Sequence, residues 1–100
     1  RLRTLMLLRS EGELCVCEMT VALDLSQPKI SRHLAQLRNA GLICDSRHGQ
    51  WVYYALHPAL PSWVLELLET TAKAESQWLA EDRVRLLSMG ERPVRQAVNC

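Results

Sequence analysis

No uninterrupted apolar run in this sequence approaches the roughly 20 residues that a membrane-spanning helix needs, and no secretion signal is visible at its amino end. A soluble, cytoplasmic protein with no membrane partner is expected. Charge of one sign is not in excess either. The formal net charge is +1, which by itself argues against a nucleic-acid partner and leaves the distribution of charge to decide. There is no Gly-rich phosphate-binding loop, and no motif holds a Cys, a His and an acid together, so neither an enzyme nor an organic cofactor is expected. At 100 residues the chain is too short for two independent cores. Its four cysteines are not needed as staples, because 48% of the residues are apolar and the pattern is helical. Reduced thiols are expected.

The charge that is present is unevenly placed. From Gln27 to Gln50 the fixed charges are Lys29, Arg32, Arg38 and Arg47 against Asp45, with His33 and His48 in addition. From Ala55 to Glu91 they are Glu66, Glu69, Glu75, Glu81, Asp82 and Glu91 against Lys73, Arg83 and Arg85. One end is basic and the other acidic, a separation that suits a DNA-facing surface and a partner-facing helix.

The stretch from Cys15 to Gly41, CVCEMTVALDLSQPKISRHLAQLRNAG, organises the rest. It predicts a helix from about Cys17 to Leu23, packed through Met19, Ala22 and Leu23, and a second from Gln27 to about Asn39. Ser26 caps the second helix, and Pro28 follows in its opening turn, where the missing N–H costs nothing. Ile30, Leu34 and Leu37 recur at helical spacing and face inward, which leaves Arg32 and Gln36 outward with Lys29 and Ser31 beside them. A short helix, a turn and a second helix with a basic and amide face fit the DNA major groove.

Around this pair, the chain begins inside an amphipathic run, Leu2, Leu5, Met6 and Leu8, read as a continuing helix that stops at Glu11-Gly12. Glu13 to Cys17 reads as a link. Leu42 to Asp45 and Gln50 to Leu56, rich in Ile, Val, Trp and Tyr around Ser46-Arg47-His48-Gly49, predict a β-hairpin wing. One long helix is expected from Ser62 to Ser88, with an apolar stripe of Val64, Leu67, Leu68, Thr71, Trp78 and Leu79. So small a domain cannot bury that stripe alone, so a second copy is expected to cover it in a two-fold homodimer. The fold class is therefore mainly α with a small β-hairpin, a homodimeric winged helix-turn-helix over residues 1–90, followed by a tail at 91–100.

Ser26-Gln27-Pro28-Lys29-Ile30-Ser31-Arg32-His33-Leu34, preceded by Glu13-Leu14-Cys15-Val16-Cys17-Glu18 and followed by Gly41-Leu42-Ile43 and the wing Arg47-His48-Gly49-Gln50-Trp51-Val52-Tyr53-Tyr54, resembles the arsenic-responsive branch of the ArsR/SmtB metalloregulatory repressors. The resemblance covers roughly residues 2 to 90. It implies a repressor of a metalloid-resistance operon, dimeric through its first and last helices, that leaves its palindromic operator when trivalent arsenic, and also antimony, binds Cys15 and Cys17. Soft thiophilic ions suit thiolates. The branch often reads Cys-x-Cys-x-x-Cys, and Thr20 stands at the last of those positions. The third sulfur is therefore sought elsewhere: Cys100 in the tail is favoured over Cys44 on the wing, with a small molecule or the pair alone as alternatives. Zinc-sensing relatives carry ligands along the last helix, where this chain has no His, so an intersubunit zinc site is not expected.

Residues i and i+2 of a straight helix point about 200° apart, whereas in an extended segment they share a face. Gripping one ion with Cys15 and Cys17 is therefore expected to need a distorted helix start. On the DNA side, Ser26, Lys29 and Arg47 are assigned to phosphates and Gln27, Ser31 and Arg32 to base edges. Arg47 and His48 at the wing tip suit the minor groove or backbone, and His33 is divided between DNA contact and packing. A rival on the same fold is a redox-responsive repressor in which Cys15 and Cys17 are oxidised.

Overall fold

A computed structural model describes residues 1–90, 92 and 93. The elements run α1 (Leu2–Glu11), β1 (Glu13–Cys15), α2 (Val16–Leu23), α3 (Gln27–Asn39), β2 (Ile43–His48), β3 (Trp51–Leu56), α4 (Ser62–Ala74) and α5 (Ser76–Ser88). Gly12 ends α1 at φ 90° and ψ −68°, a conformation open to glycine, and donates its N–H to the Leu8 carbonyl at 2.8 Å. Leu7, Leu8, Leu14, Met19, Ile30, Leu34, Ile43, Tyr53, Leu68 and Leu86 form a core that draws on every helix and strand. No helix among the described residues is long and apolar enough to cross a membrane.

Helix α3 has the predicted bounds, since Ser26 caps it and its side chain accepts the Lys29 N–H. Three other segments differ from expectation. The link before α2 contains β1, which pairs antiparallel with β3 and turns the hairpin into a three-stranded sheet ordered β1-β3-β2. Three residues are too few for an alternation pattern to show. The wing turns at Gly49-Gln50, with Gly49 at φ 64°, so Arg47 and His48 belong to strand β2, and His48 pairs with Trp51.

The expected long helix is broken at Glu75, at φ −118° and ψ 45°. No Gly or Pro marks this point, and the residues around it, Thr70, Thr71 and Ser76, are weak helix formers. Helix α5 packs on α2 and α1, and Asp82, 1% exposed, accepts hydrogen bonds from Arg3 Nη2 at 2.5 Å and Arg85 Nη2 at 2.5 Å. Arg85 also donates Nε–H to the Ala22 carbonyl at 2.7 Å, near the end of α2. The chain thus covers part of the apolar stripe itself: Leu68 is buried and Val64 and Leu79 pack on the core. Leu67 and Trp78 stay exposed, as do Val84 and Leu87 at 65% and 77%.

Candidate functional site

The two thiols stand at a change of backbone geometry. Cys15 is the last residue of β1, opposite Tyr53 of β3, and also the N-cap of α2, at φ −88° and ψ 169°. Cys17 lies in the first helical turn. Because Cys15 is extended and Cys17 helical, both side chains reach the same side, and their sulfurs lie 2.9 Å apart. The expectation of a distorted helix start is therefore corrected: the strand-to-helix junction converges the sulfurs while α2 stays regular. Two sulfurs bonded at about 2.3 Å to one ion lie roughly 3–4 Å apart, so this donor pair can take a thiophilic ion once its sulfurs move apart from their 2.9 Å separation.

Glu18 holds the junction. Its carboxylate accepts the Cys15 backbone N–H at 3.0 Å, while its own N–H donates to the Cys15 sulfur. This is a capping box with a thiol where serine is usual. Glu18 is fully buried and pairs with Arg92 beyond α5. The Thr20 hydroxyl donates to the Cys17 carbonyl at 2.8 Å. Sequence reasoning passed over Glu18, although its spacing three residues after Cys15 is the capping-box signal. Among the described residues, no group of three or more His, Cys, Asp or Glu is placed to hold a metal ion.

Burial, and then the hydrogen bond shared with Cys17, push the Cys15 thiol up to about 12. At mildly alkaline pH, iodoacetamide is expected to modify Cys17 and spare Cys15, which is 1% exposed, until the protein unfolds; peptide mapping of partly alkylated protein checks this. The folded protein retains the Cys15 proton where an unfolded cysteine has lost it, so this contribution to stability is full below pH 9 and fades between 9 and about 12. Cys15→Ser should flatten that fall in an alkaline denaturation series.

A cavity of about 310 Å³ opens beside the pair. It runs from Val16 and Thr20 on α2 to Gln27 at the start of α3, and to Gln50, Trp51 and Val52 of the wing. The thiols therefore border both elements expected to meet DNA, the start of α3 and the wing. Of the other cysteines, Cys44 is buried on β2 and disulfide-bonded, against the expectation of reduced thiols, and Cys100 lies outside the described residues.

Ser26, Gln27, Lys29, Ser31 and Arg32 form one exposed face around the start of α3, opposite buried Ile30, Leu34 and Leu37. Arg47 is exposed on β2. His48 is half-buried, with Nε2 3.1 Å from the Ser46 hydroxyl and its ring stacked obliquely on Tyr53. His33 is set apart: its Nδ1 is buried with no hydrogen-bond partner among the described residues. Burial first, and then the positive charges around it, lower its pKa, which favours the packing alternative for this residue.

Residues 1–44 match the family described as bacterial regulatory protein, arsR family. The arsenic resistance transcriptional regulator ArsR2 of Pseudomonas putida is 60% identical over 100 residues, spanning 100% of this chain and 87% of that protein. Among solved structures, the transcriptional regulator HlyU from Vibrio vulnificus superposes with a TM-score of 0.65 at 34% identity, covering 74% of this chain and 73% of that one. The AntR antimony-specific transcriptional repressor gives a TM-score of 0.63 at 25% identity, covering 76% of this chain and 66% of that one.

Proposed function

Because the chain belongs to the arsR family of bacterial regulatory proteins, winged-helix transcriptional regulators and not enzymes, we propose that it represses a metalloid-resistance operon from a palindromic operator. Trivalent arsenic, and antimony by the same thiophilic chemistry, is the inducer, and Cys15 and Cys17 bind it. The observation that carries this reading is the 2.9 Å separation of the two sulfurs at the junction of β1 and α2.

Cys15 belongs to both neighbours of the DNA-binding surface. Through β1 it is laddered to the wing strand β3, and through α2 it packs on α3. A ligand shifts an equilibrium only by its differential affinity for the two states. An inducer that sets its own sulfur spacing and angle favours states in which β1 and α2 have turned relative to each other, and those states misplace α3 against the wing.

The homodimer reading is supported by the apolar residues left on α1 and α5: Leu2, Trp78, Val84 and Leu87 stay exposed. Val84 and Leu87 are three apart and share one face of α5, which a second copy would cover through the first and last helices. The acidic charges concentrated beyond Ala55 keep this half away from DNA.

The DNA assignment is tested by operator-fragment anisotropy at several salt concentrations. Arg32→Ala is expected to weaken specific binding by about 1–3 kcal/mol, and Lys29→Ala to lower the salt slope by roughly one ion. Variants that bind as tightly as the parent with the same slope would move the interface away from α3. Binding of arsenite is followed by the ultraviolet absorbance of arsenic–thiolate bonds, with one equivalent per chain expected and none for Cys15→Ser.

A further inference from the structure

Resting on the reading that Cys15 and Cys17 bind the inducer, we infer that Arg92 is a positioning residue for them. Through Glu18 it clamps the junction of β1 and α2 in its inducer-free geometry, and so sets how much arsenite is needed to release the operator.

Helix α5 leads the chain back along α2 to the thiols. Arg85 donates Nε–H to the Ala22 carbonyl near the end of α2, and further on Arg92 reaches Glu18 in the first turn of α2. Between them Met89 closes α5 in an extended conformation, at φ −65° and ψ 126°, with its N–H on the Leu86 carbonyl at 3.1 Å. The segment that follows meets the thiol site: Cys17, Trp51, Met89, Arg92 and Pro93 border a cavity of about 350 Å³. Cys17 and Trp51 also border the cavity on the side of α3. Cys17 thus stands between the wing and the segment beyond α5.

Glu18 divides its two carboxylate oxygens. Oε1 accepts the Cys15 backbone N–H at 3.0 Å, and Oε2 accepts Nε–H of Arg92. The carboxylate is fully buried and is fixed from both sides, by the thiol residue and by the segment beyond α5. A charge-assisted bond to a guanidinium holds such a group more firmly than a neutral donor does. The sulfurs stand 2.9 Å apart and have to separate to grip one ion. That separation turns β1 against α2, and Glu18 is the side chain that spans the turn. Arg92 therefore favours the inducer-free state, and a contact that is stronger in one state than in the other shifts the equilibrium between them.

The test uses the full chain with Cys15 and Cys17 reduced. One readout is release of a labelled operator fragment by arsenite at fixed salt; the other is the rate at which iodoacetamide modifies each thiol without arsenite. Arg92→Ala is expected to release the operator at about five- to tenfold less arsenite than the parent, a part of what losing one partner of a buried pair costs, because Glu18 keeps its bond to Cys15. Alkylation of Cys17 should quicken by a similar factor while Cys15 stays protected, a split that general loosening of the fold would not produce. Arg92→Lys, which keeps a charged donor, should stay within about twofold of the parent on both readouts. Glu18→Gln should act like Arg92→Ala, and the two together should add less than about twofold, since they break the same pair. Arg92→Gln, uncharged but still a donor, is expected to give an intermediate shift and decides the question if Arg92→Ala does not fold. An unchanged or higher arsenite requirement in the Ala and Gln variants overturns the inference while the metalloid reading stands, and so does alkylation of Cys15 and Cys17 in step. A parent that arsenite never releases overturns the metalloid reading itself; an unchanged Cys17 rate in Arg92→Ala overturns the clamp independently of that.

Discussion

The double variant Cys15→Ser, Cys17→Ser is expected to bind operator within about threefold of the parent and to stay bound at arsenite concentrations roughly 100-fold above those that release the parent, the upper range of a single-site coupling. The fold should survive, because serine at the N-cap of α2 accepts the Glu18 N–H at least as well as a thiol does. Glu18 in turn keeps its contact with the backbone N–H of residue 15. The loss therefore falls on the inducer alone. Anisotropy of an operator fragment, together with a thermal melt of the same sample, separates the two effects. A variant that no longer folds or no longer binds DNA would make the thiols structural.

The second large effect concerns stability. Arg85→Leu leaves buried Asp82 with Arg3 as its remaining guanidinium partner in this cluster and strips the Ala22 carbonyl of its donor. Breaking a buried pair by removing one partner costs about 3–5 kcal/mol; with Arg3 still in place the expected loss is roughly 2–4 kcal/mol. By contrast, Lys73→Ala removes an exposed i,i+4 pair with Glu69 at 3.7 Å and should cost about 0.5 kcal/mol or less. Urea denaturation at fixed protein concentration checks both, the midpoint moving without a change of slope. An Arg85→Leu loss no larger than that of Lys73→Ala would remove the Asp82 cluster from the account of how α5 holds α2.

What could be read from the sequence follows from where the signals are local. Helix α3 was legible to the residue because its cap, its opening proline and its apolar stripe are all within one segment. The wing and the basic face of α3 were legible for the same reason. The break at Glu75 was not, since no Gly or Pro marks it and Thr70, Thr71 and Ser76 disfavour helix only weakly. Strand β1 was missed because its evidence lies in its partner, β3. The thiol pair was singled out with both a helical and an extended geometry in view, but that Cys15 ends a strand and caps α2 shows only once β1 pairs with β3. The capping-box spacing of Glu18 after Cys15 was local and passed over, whereas its pairing with Arg92 emerges only when the segment beyond α5 is brought against α2.

Central to the proposed function is control of DNA binding by the thiol pair at the start of α2. The most direct measurement is the anisotropy of a labelled operator fragment bound by reduced protein at fixed salt, titrated with arsenite. Release that is complete near one equivalent of arsenite per chain, and reversed by excess dithiol, is the predicted result. Operator binding that ignores arsenite yet is lost on adding peroxide would contradict it and assign Cys15 and Cys17 to redox control.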